Sequence, residues 1–204
     1  MEDSELSRLS KLTEGDYEAF LYDCDGTLAD NMPAHTETYV AVANQYQVAM
    51  DPAIIDELAG WPINNVVEEI NLRYNAAMDP EEFKSKKAQL YYEHYINKIL
   101  PITYVVDHLK ANAGRVKIAV VSGGDRAAIE RTLDIIGVRE YVEVLVCAGE
   151  TPKGKPFADP FLKAAELLGV NPQKCLVFED GIPGTVAAEA AGMHWVRIDQ
   201  FKFG

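Results

Sequence analysis

Apolar residues recur along this chain in short runs that alternate with segments of helical spacing. Five runs have the length and composition of buried strands: Tyr17–Cys24, Lys117–Ser122, Tyr141–Cys147, Lys174–Phe178 and His194–Ile198. Helical spacing follows three of them, at Arg126–Ile136, Phe157–Leu168 and Thr185–Ala191. Strand and helix in alternation predict an α/β fold with a doubly wound parallel sheet and right-handed crossovers.

A glycine follows each of these three helical segments, at Gly137, Gly169 and Gly192. The residue just beyond a helix often adopts a positive φ, which glycine tolerates without steric cost. The glycines therefore indicate where each helix ends.

Residues 32–100 interrupt the alternation, because they contain no convincing strand pattern. Their helical segments are Ala34–Tyr46, Ala53–Leu58, Asn64–Tyr74 and Pro80–Ile99, with prolines mostly at first turns or boundaries. We therefore predict a Rossmann-like core formed by residues 1–31 and 101–204, with a helical cap inserted at 32–100 after the first strand. Residues 1–15 are polar, and we expect a frayed end or a short lead-in helix there.

The charge balance disfavours several kinds of partner. Nineteen Lys and Arg against 32 Asp and Glu leave a net charge of −13, which repels nucleic acid and anionic membrane surfaces. No apolar run has the length of a membrane span, and the first residues lack the pattern of a secretory signal. The three cysteines, Cys24, Cys147 and Cys175, cannot all pair, and we expect buried free thiols. These features predict a cytoplasmic protein, and nothing in them demands more than a monomer.

Charged and small residues cluster at the ends of the predicted strands, where ligands bind in doubly wound sheets. They are Asp23 and Asp25 at the end of the first strand, Ser122-Gly123-Gly124 at the end of the second, Lys155 in the loop after the third, and Glu179-Asp180 at the end of the fourth. Each of these, taken alone, has an ordinary explanation as a turn, a helix cap or a solvated charge. Their joint placement at successive strand ends favours a functional site.

The residue types at this edge are those that phosphate chemistry requires. Asp23 and Asp25 are two apart in an extended segment, so both carboxylates can face one site. Crowded carboxylates repel unless a cation offsets them, and Mg²⁺ is the usual cation where a substrate carries phosphate. Ser122 with the following glycine amides, at the start of a helix, predicts an anion site that Lys155 can help to neutralise.

In their order along the chain, these motifs resemble the four motifs of the haloacid dehalogenase superfamily. The matching residues are Asp23-Cys24-Asp25-Gly26-Thr27-Leu28, then Ser122-Gly123, then Gly154-Lys155-Pro156 with Asp159 and Phe161, then Glu179-Asp180. The resemblance extends from about Tyr17 to Ile198 and is greatest to beta-phosphoglucomutase-like phosphatases that act on small sugar phosphates. Ala158 departs from the family, which often has proline there.

The resemblance implies a Mg²⁺-dependent phosphatase with an aspartyl-phosphate intermediate. Asp23 would be the nucleophile, and Asp25 the general acid and then the general base. Asp23, the backbone carbonyl of Asp25 and Asp180 would hold Mg²⁺, with Glu179 in support. Ser122, Gly123 and Lys155 would bind the phosphoryl group. The presence of Asp25 disfavours dehalogenation, because a halide leaving group needs no proton.

The inserted segment is expected to read the leaving group of a small phosphorylated metabolite such as a hexose or sugar-acid phosphate. Related mutases carry an arginine in the loop that corresponds to residues 59–65, whereas this loop has Ile63 there and no cation. A phosphatase is therefore favoured over a beta-phosphoglucomutase, and a pyrophosphatase or a non-catalytic phosphate-ester sensor stays open. The candidate substrate-reading residues are His35, Trp61, Asn64, Asn65 and Lys87, each of which also has a structural interpretation.

Overall fold

The structure is a computed structural model of the chain, and it describes residues 4–58 and 61–204. The chain forms two compact units. One consists of Ile99–Gly204 together with the segment that ends at Asp30, and we call it the sheet unit. The other, Asn31–Lys98, is the helical unit. The assignment of catalysis to one unit and substrate reading to the other stays a prediction.

Helices and strands alternate in the sheet unit from residue 99 to residue 197, whereas helices follow one another directly in the helical unit. In chain order they are α1 (Glu5–Leu12), β1 (Ala19–Tyr22), β2 (Ala29–Asp30), α2 (Met32–Gln45), α3 (Ala53–Glu57), α4 (Ile63–Tyr74), α5 (Pro80–His94), β3 (Leu100–Pro101), α6 (Thr103–Asn112), β4 (Lys117–Val121), α7 (Arg126–Ile135), β5 (Val144–Val146), α8 (Asp159–Leu168), β6 (Cys175–Glu179), α9 (Ile182–Ala190), β7 (His194–Arg197) and β8 (Lys202–Phe203).

The sheet unit is built on a six-stranded sheet of order β5-β4-β1-β6-β7-β8. The first five strands in this order are parallel, and β8 pairs antiparallel with β7. The predicted α/β fold with a parallel sheet and a helical insertion is confirmed. β1 lies at the centre, where Tyr22 pairs with Val120 of β4 on one side and with Phe178 of β6 on the other.

Both faces of β1 are buried, because the sheet is covered on each side. Ala19 and Leu21 belong to a hydrophobic cluster with residues of α8 and α9. Phe20 and Tyr22 point to the opposite face, as the two-residue period of a strand requires. There Tyr22 stacks on Phe178 with ring centroids 4.3 Å apart. The continuous apolar run of β1 therefore reflects burial on two faces.

A buried chain of hydrogen bonds connects β1 with α6 and the end of α1. The Thr13 hydroxyl donates to the Ser10 carbonyl, so its oxygen is left to accept from His108 Nε2 at 2.9 Å. His108 Nδ1 then accepts from the Tyr22 hydroxyl at 2.9 Å. Burial lowers the pKa of His108 to about 4, so this histidine is neutral near pH 7.

The helical unit has a hydrophobic core of its own, formed by α2–α5 and the turns between them. Side chains in this core include Val42, Val67, Ile70 and Phe83, which have no exposed surface. Pro80 stands in the first turn of α5, where a missing N–H breaks no helical bond, and the Asp79 side chain caps that helix by accepting from the Glu82 N–H. No helix in the described part of the chain has the length and apolar composition of a membrane span.

The sequence analysis did not predict the short strands β2, β3 and β8, nor one of the helices. The helix α6 was not predicted, because its Thr-Tyr-Val-Val start has the β-branched residues typical of strands. It forms because Val105, Val106 and Leu109 are buried on one side of it. Of the alternatives left open for the N-terminal segment, the helix is the one observed, over Glu5–Leu12 with Leu9 fully buried.

Candidate active site

The carboxyl ends of the central parallel strands bring the predicted catalytic side chains to one edge of the sheet. Asp23 directly follows β1, and its N–H donates to the Phe178 carbonyl of β6 at 2.9 Å. Glu179 is the last residue of β6, and Asp180 follows it. Ser122 directly follows β4, the other neighbour of β1. The sheet order therefore places these side chains on adjacent strand ends.

Lys155, in the loop between β5 and α8, brings a positive charge to this edge of the sheet. Its Nζ donates to Asp23 Oδ1 and to Glu179 Oε1, each at 2.5 Å, and to the Val121 carbonyl at 2.8 Å. These three acceptors use all three hydrogens of the ammonium group. Burial opposes the charge, but the carboxylates of Asp23 and Glu179 outweigh it and raise the pKa of Lys155, so the lysine is charged.

Asp23, Glu179 and Asp180 form a group of carboxyls in which one oxygen of each lies within 4.8 Å of the others. Burial, with repulsion from Glu179, raises the pKa of Asp180 to about 6. Burial also raises the pKa of Asp23 well above its usual range, because the attraction of Lys155 does not offset it. A divalent cation relieves such crowding, and carboxylate oxygens are ligands that Mg²⁺ prefers. This donor set fits a hard divalent cation.

Asp25 lies two residues beyond Asp23 in a tight turn. The N–H groups of residues 27–29 all donate to the Cys24 carbonyl, which folds the chain back directly after β1. The Asp25 side chain is half-buried. Its carboxyl is not part of the group of three acids, and the expected role of its backbone carbonyl as a metal ligand stays a prediction.

Three residues to which the sequence analysis gave no role hold the acidic side chains in place. Thr27 Oγ1 donates to Asp180 Oδ1 at 3.0 Å. A Cβ on Gly26, which has φ 83°, would overlap the Asp180 carboxylate, and a Cβ on Gly184 would overlap that of Glu179. Gly184 lies in the first turn of the alanine-rich helix α9, where glycine costs about 1 kcal/mol relative to alanine. A glycine at this unfavourable position is the sequence signal that could have revealed the role of Gly184.

The turn after β4 differs in detail from the expected anion site. Ser122 is buried, and its Oγ accepts from the Gly124 N–H at 3.0 Å, so this amide is bound within the turn. Gly123 is exposed, and no atom lies within 4 Å of the place where its Cβ would be. Asp125 then caps α7 by accepting from the Ala127 N–H. Of Ser122, Gly123 and Gly124, the exposed residue is therefore Gly123.

Two of the predicted substrate-reading residues meet within the helical unit. Lys87 Nζ lies 3.1 Å from His35 Nδ1 and 4.7 Å from the ring centroid of Tyr39. The His35 ring stacks on Tyr91 with centroids 4.4 Å apart and planes 5° from parallel. These contacts form a group of one cation and three rings, in which Tyr91 is buried and the other residues are half-buried.

The other three predicted residues lie at the start of α4. Trp61 is 50% exposed, so it is not part of the core of the helical unit. The Asn64 amide donates to Glu81 Oε1 at 2.6 Å, and Asn65 is exposed. Ala59 and Gly60, which belong to the same predicted loop, lie outside the described residues.

Comparisons with known proteins indicate a single family. The model of the haloacid dehalogenase-like hydrolase family matches residues 17–192. Fructose-1-phosphate phosphatase YqaB of Escherichia coli is 32% identical over 182 residues, which are 89% of this chain and 96% of that protein. Hexitol phosphatase A of the same organism is 27% identical over 180 residues, covering 88% and 82% of the two chains.

The fold has close counterparts among solved structures. The crystal structure of a haloacid dehalogenase hydrolase of family IA, variant 3, from Entamoeba histolytica matches with a TM-score of 0.77 and 24% identity. The match covers 88% of this chain and 82% of that one.

Proposed function

The chain belongs to the haloacid dehalogenase-like hydrolase family and is a phosphatase of that type, and from this premise we propose that it hydrolyses a small sugar phosphate. The names of its relatives support this substrate class, since one is a fructose-1-phosphate phosphatase and the other a hexitol phosphatase. The absence of a cation in the sequence of residues 59–65 further favours a neutral, hydroxylated leaving group.

In the proposed reaction, a carboxylate oxygen of Asp23 attacks phosphorus and the bond to the sugar oxygen breaks. Asp25 gives its proton to the departing alkoxide, and then takes a proton from the water that attacks the aspartyl-phosphate. The second step breaks the bond between Asp23 and phosphorus and releases inorganic phosphate. Lys155 holds Oδ1 of Asp23 at 2.5 Å, so we assign the attack to Oδ2.

We assign the transferring phosphoryl group to Ser122, Gly123 and Lys155. The phosphoryl group and the carboxylate that attacks it are both negatively charged. Catalysis therefore depends mainly on holding the two groups in position and on neutralising their charge. Asp23, Asp180 and the Asp25 backbone carbonyl would hold Mg²⁺, with Glu179 in support. When bound there, the ion supplies the positive charge that lets two anions approach.

We assign the choice of sugar to the helical unit. Lys87 and His35 supply donors for hydroxyl oxygens, and the aromatic rings around them offer an apolar face for a sugar ring. Trp61, Asn64 and Asn65 are the further candidates, although Asn64 already donates to Glu81.

The observation that supports the proposal most directly is the buried contact of Lys155 with both Asp23 and Glu179 beside Asp180. Its test is phosphate release from a panel of sugar phosphates that includes fructose 1-phosphate and hexitol phosphates. D23N should lose at least about a thousandfold in kcat, because it removes the nucleophile. D134N is the matched control, since Asp134 is exposed on α7. Wild-type turnover in D23N would refute the assignment.

The alternatives are separated by the product that each of them forms. A mutase would convert beta-glucose 1-phosphate to glucose 6-phosphate in the presence of a bisphosphate activator, whereas the proposed phosphatase releases inorganic phosphate. A pyrophosphatase would release phosphate from pyrophosphate and from no ester. A sensor would bind the esters and release none.

A further inference from the structure

Ser122 and Lys155 lie on two different loops that leave the sheet side by side. The first loop joins β4 to α7, and the second joins β5 to α8. Beyond the ends of these paired strands, the Ala148 N–H of the second loop donates to the Gly124 carbonyl of the first at 3.0 Å. The positions of the two loops are therefore coupled through the backbone.

An ion pair joins the same two loops. Arg126, the first residue of α7, donates from Nε to Glu150 Oε1 at 2.5 Å and from Nη2 to Glu150 Oε2 at 2.8 Å. Such a bidentate contact fixes orientation as well as distance. Arg126 Nη2 also donates to the Leu145 carbonyl at 2.8 Å, and Glu150 Oε2 also accepts from the Cys147 N–H at 3.0 Å. Each partner is thus also bonded to the backbone at the end of β5.

These backbone contacts distinguish the pair from an ordinary surface ion pair. The side chains of Arg126 and Glu150 are 44% and 32% exposed, and ion pairs at this exposure contribute little to global stability. Lys163 and Glu166 on α8 are also paired, at 3.0 Å, but this contact lies within a single helix. The Arg126–Glu150 pair instead links the start of α7 to the loop that delivers Lys155.

We propose that Arg126 and Glu150 are positioning residues for phosphoryl transfer. They hold the Ser122 loop and the Lys155 loop at a fixed distance and orientation relative to each other. This rests on the proposed function, because it takes Ser122 and Lys155 as the groups that bind the phosphoryl group. Neither Arg126 nor Glu150 touches that group. They act by fixing the spacing between the hydroxyl and the ammonium, and a misplacement of about 1 Å in a catalytic site costs on the order of 100-fold in rate.

The test compares R126Q, E150Q and the double variant with E166Q, which breaks the Lys163–Glu166 pair. For each protein, kcat and KM are measured with the best wild-type substrate, together with inhibition by inorganic phosphate and the thermal unfolding midpoint. We expect kcat to fall about tenfold or more in both single variants, with weaker phosphate inhibition and an unfolding midpoint close to that of E166Q. The double variant should lose less than the product of the two single losses, because either single variant already breaks the Arg126–Glu150 contact.

R126K separates charge from geometry, because lysine keeps the charge but cannot make the bidentate contact. We expect R126K to lose kcat nearly as far as R126Q does. Single variants that turn over within about twofold of E166Q, or a double variant whose loss is the product of the single losses, would overturn the inference. If the glutamine variants do not fold, R126K and E150D are judged by the same comparison. If the wild type releases no phosphate from any ester, the proposed function fails as well. If the wild type is active and the Arg126 and Glu150 variants have the same kcat as E166Q, this inference alone fails.

Discussion

Gly184 offers a direct test of how the acidic edge is assembled. It lies in the first turn of α9, and the Glu179 carboxylate occupies the space that a Cβ at this position would need. Glu179 is 4% exposed at the side chain, so its carboxylate has no nearby solvent to move into. G184A should therefore displace Glu179 although it changes no group that we assign to catalysis.

The magnitude follows from two opposing effects. Alanine in place of glycine stabilises a helix by about 1 kcal/mol. To reach ordinary contact distance the carboxylate must move by about 1 Å or more, which breaks its 2.5 Å bond to Lys155 Nζ. Disrupting a buried ion pair costs about 3–5 kcal/mol, so the net loss of unfolding free energy should be about 2–4 kcal/mol. We expect kcat to fall by on the order of 100-fold, because Lys155 and Asp23 lose their shared geometry.

The assay combines kcat for phosphate release with urea unfolding for G184A, E179A and the double variant. In the E179A background the obstructing carboxylate is gone, so G184A should cause no further loss of kcat and should raise stability by about 1 kcal/mol. A wild-type kcat in G184A, or an equal penalty from G184A in both backgrounds, would refute the argument that this glycine makes room for Glu179.

Two other predictions concern protonation and metal. The unfolded chain binds a proton on His108 near pH 6.5, whereas the folded protein binds it only near pH 4. His108 should therefore leave the free energy of unfolding unchanged above pH 6.5 and lower it by about 3 kcal/mol as the pH falls to 4. H108Q should lack this part of the slope in urea unfolding at pH 7 to 4, and equal slopes would contradict the role of His108. EDTA should abolish phosphate release and added Mg²⁺ should restore it, because the carboxylates of Asp23, Glu179 and Asp180 repel one another unless a cation offsets their charge. Full turnover after exhaustive chelation would exclude the divalent ion from the proposal.

Local patterns in the sequence were enough to predict several elements closely. The helices α7 and α8 end within one residue of the predicted positions, and Gly137, Gly169 and Gly192 all have positive φ. These features depend on the backbone preferences of neighbouring residues, so a single sequence contains them. α6 was missed for the opposite reason, because its β-branched start favours a strand locally and only burial against the rest of the unit makes it helical.

The identity of the groups at the strand ends was also predictable, but their partners were not. Asp23 and Lys155 are 132 residues apart in sequence, and they meet because the sheet order puts β1 and β4 beside each other and brings the β5 loop across. That order depends on non-local strand pairing, to which hydrophobic periodicity is insensitive. The same is true of Thr27 against Asp180 and of Gly184 against Glu179. The sequence by itself determined which chemical groups this protein carries at its strand ends. The tertiary structure alone decided which of them touch, because contact between distant residues depends on packing in three dimensions.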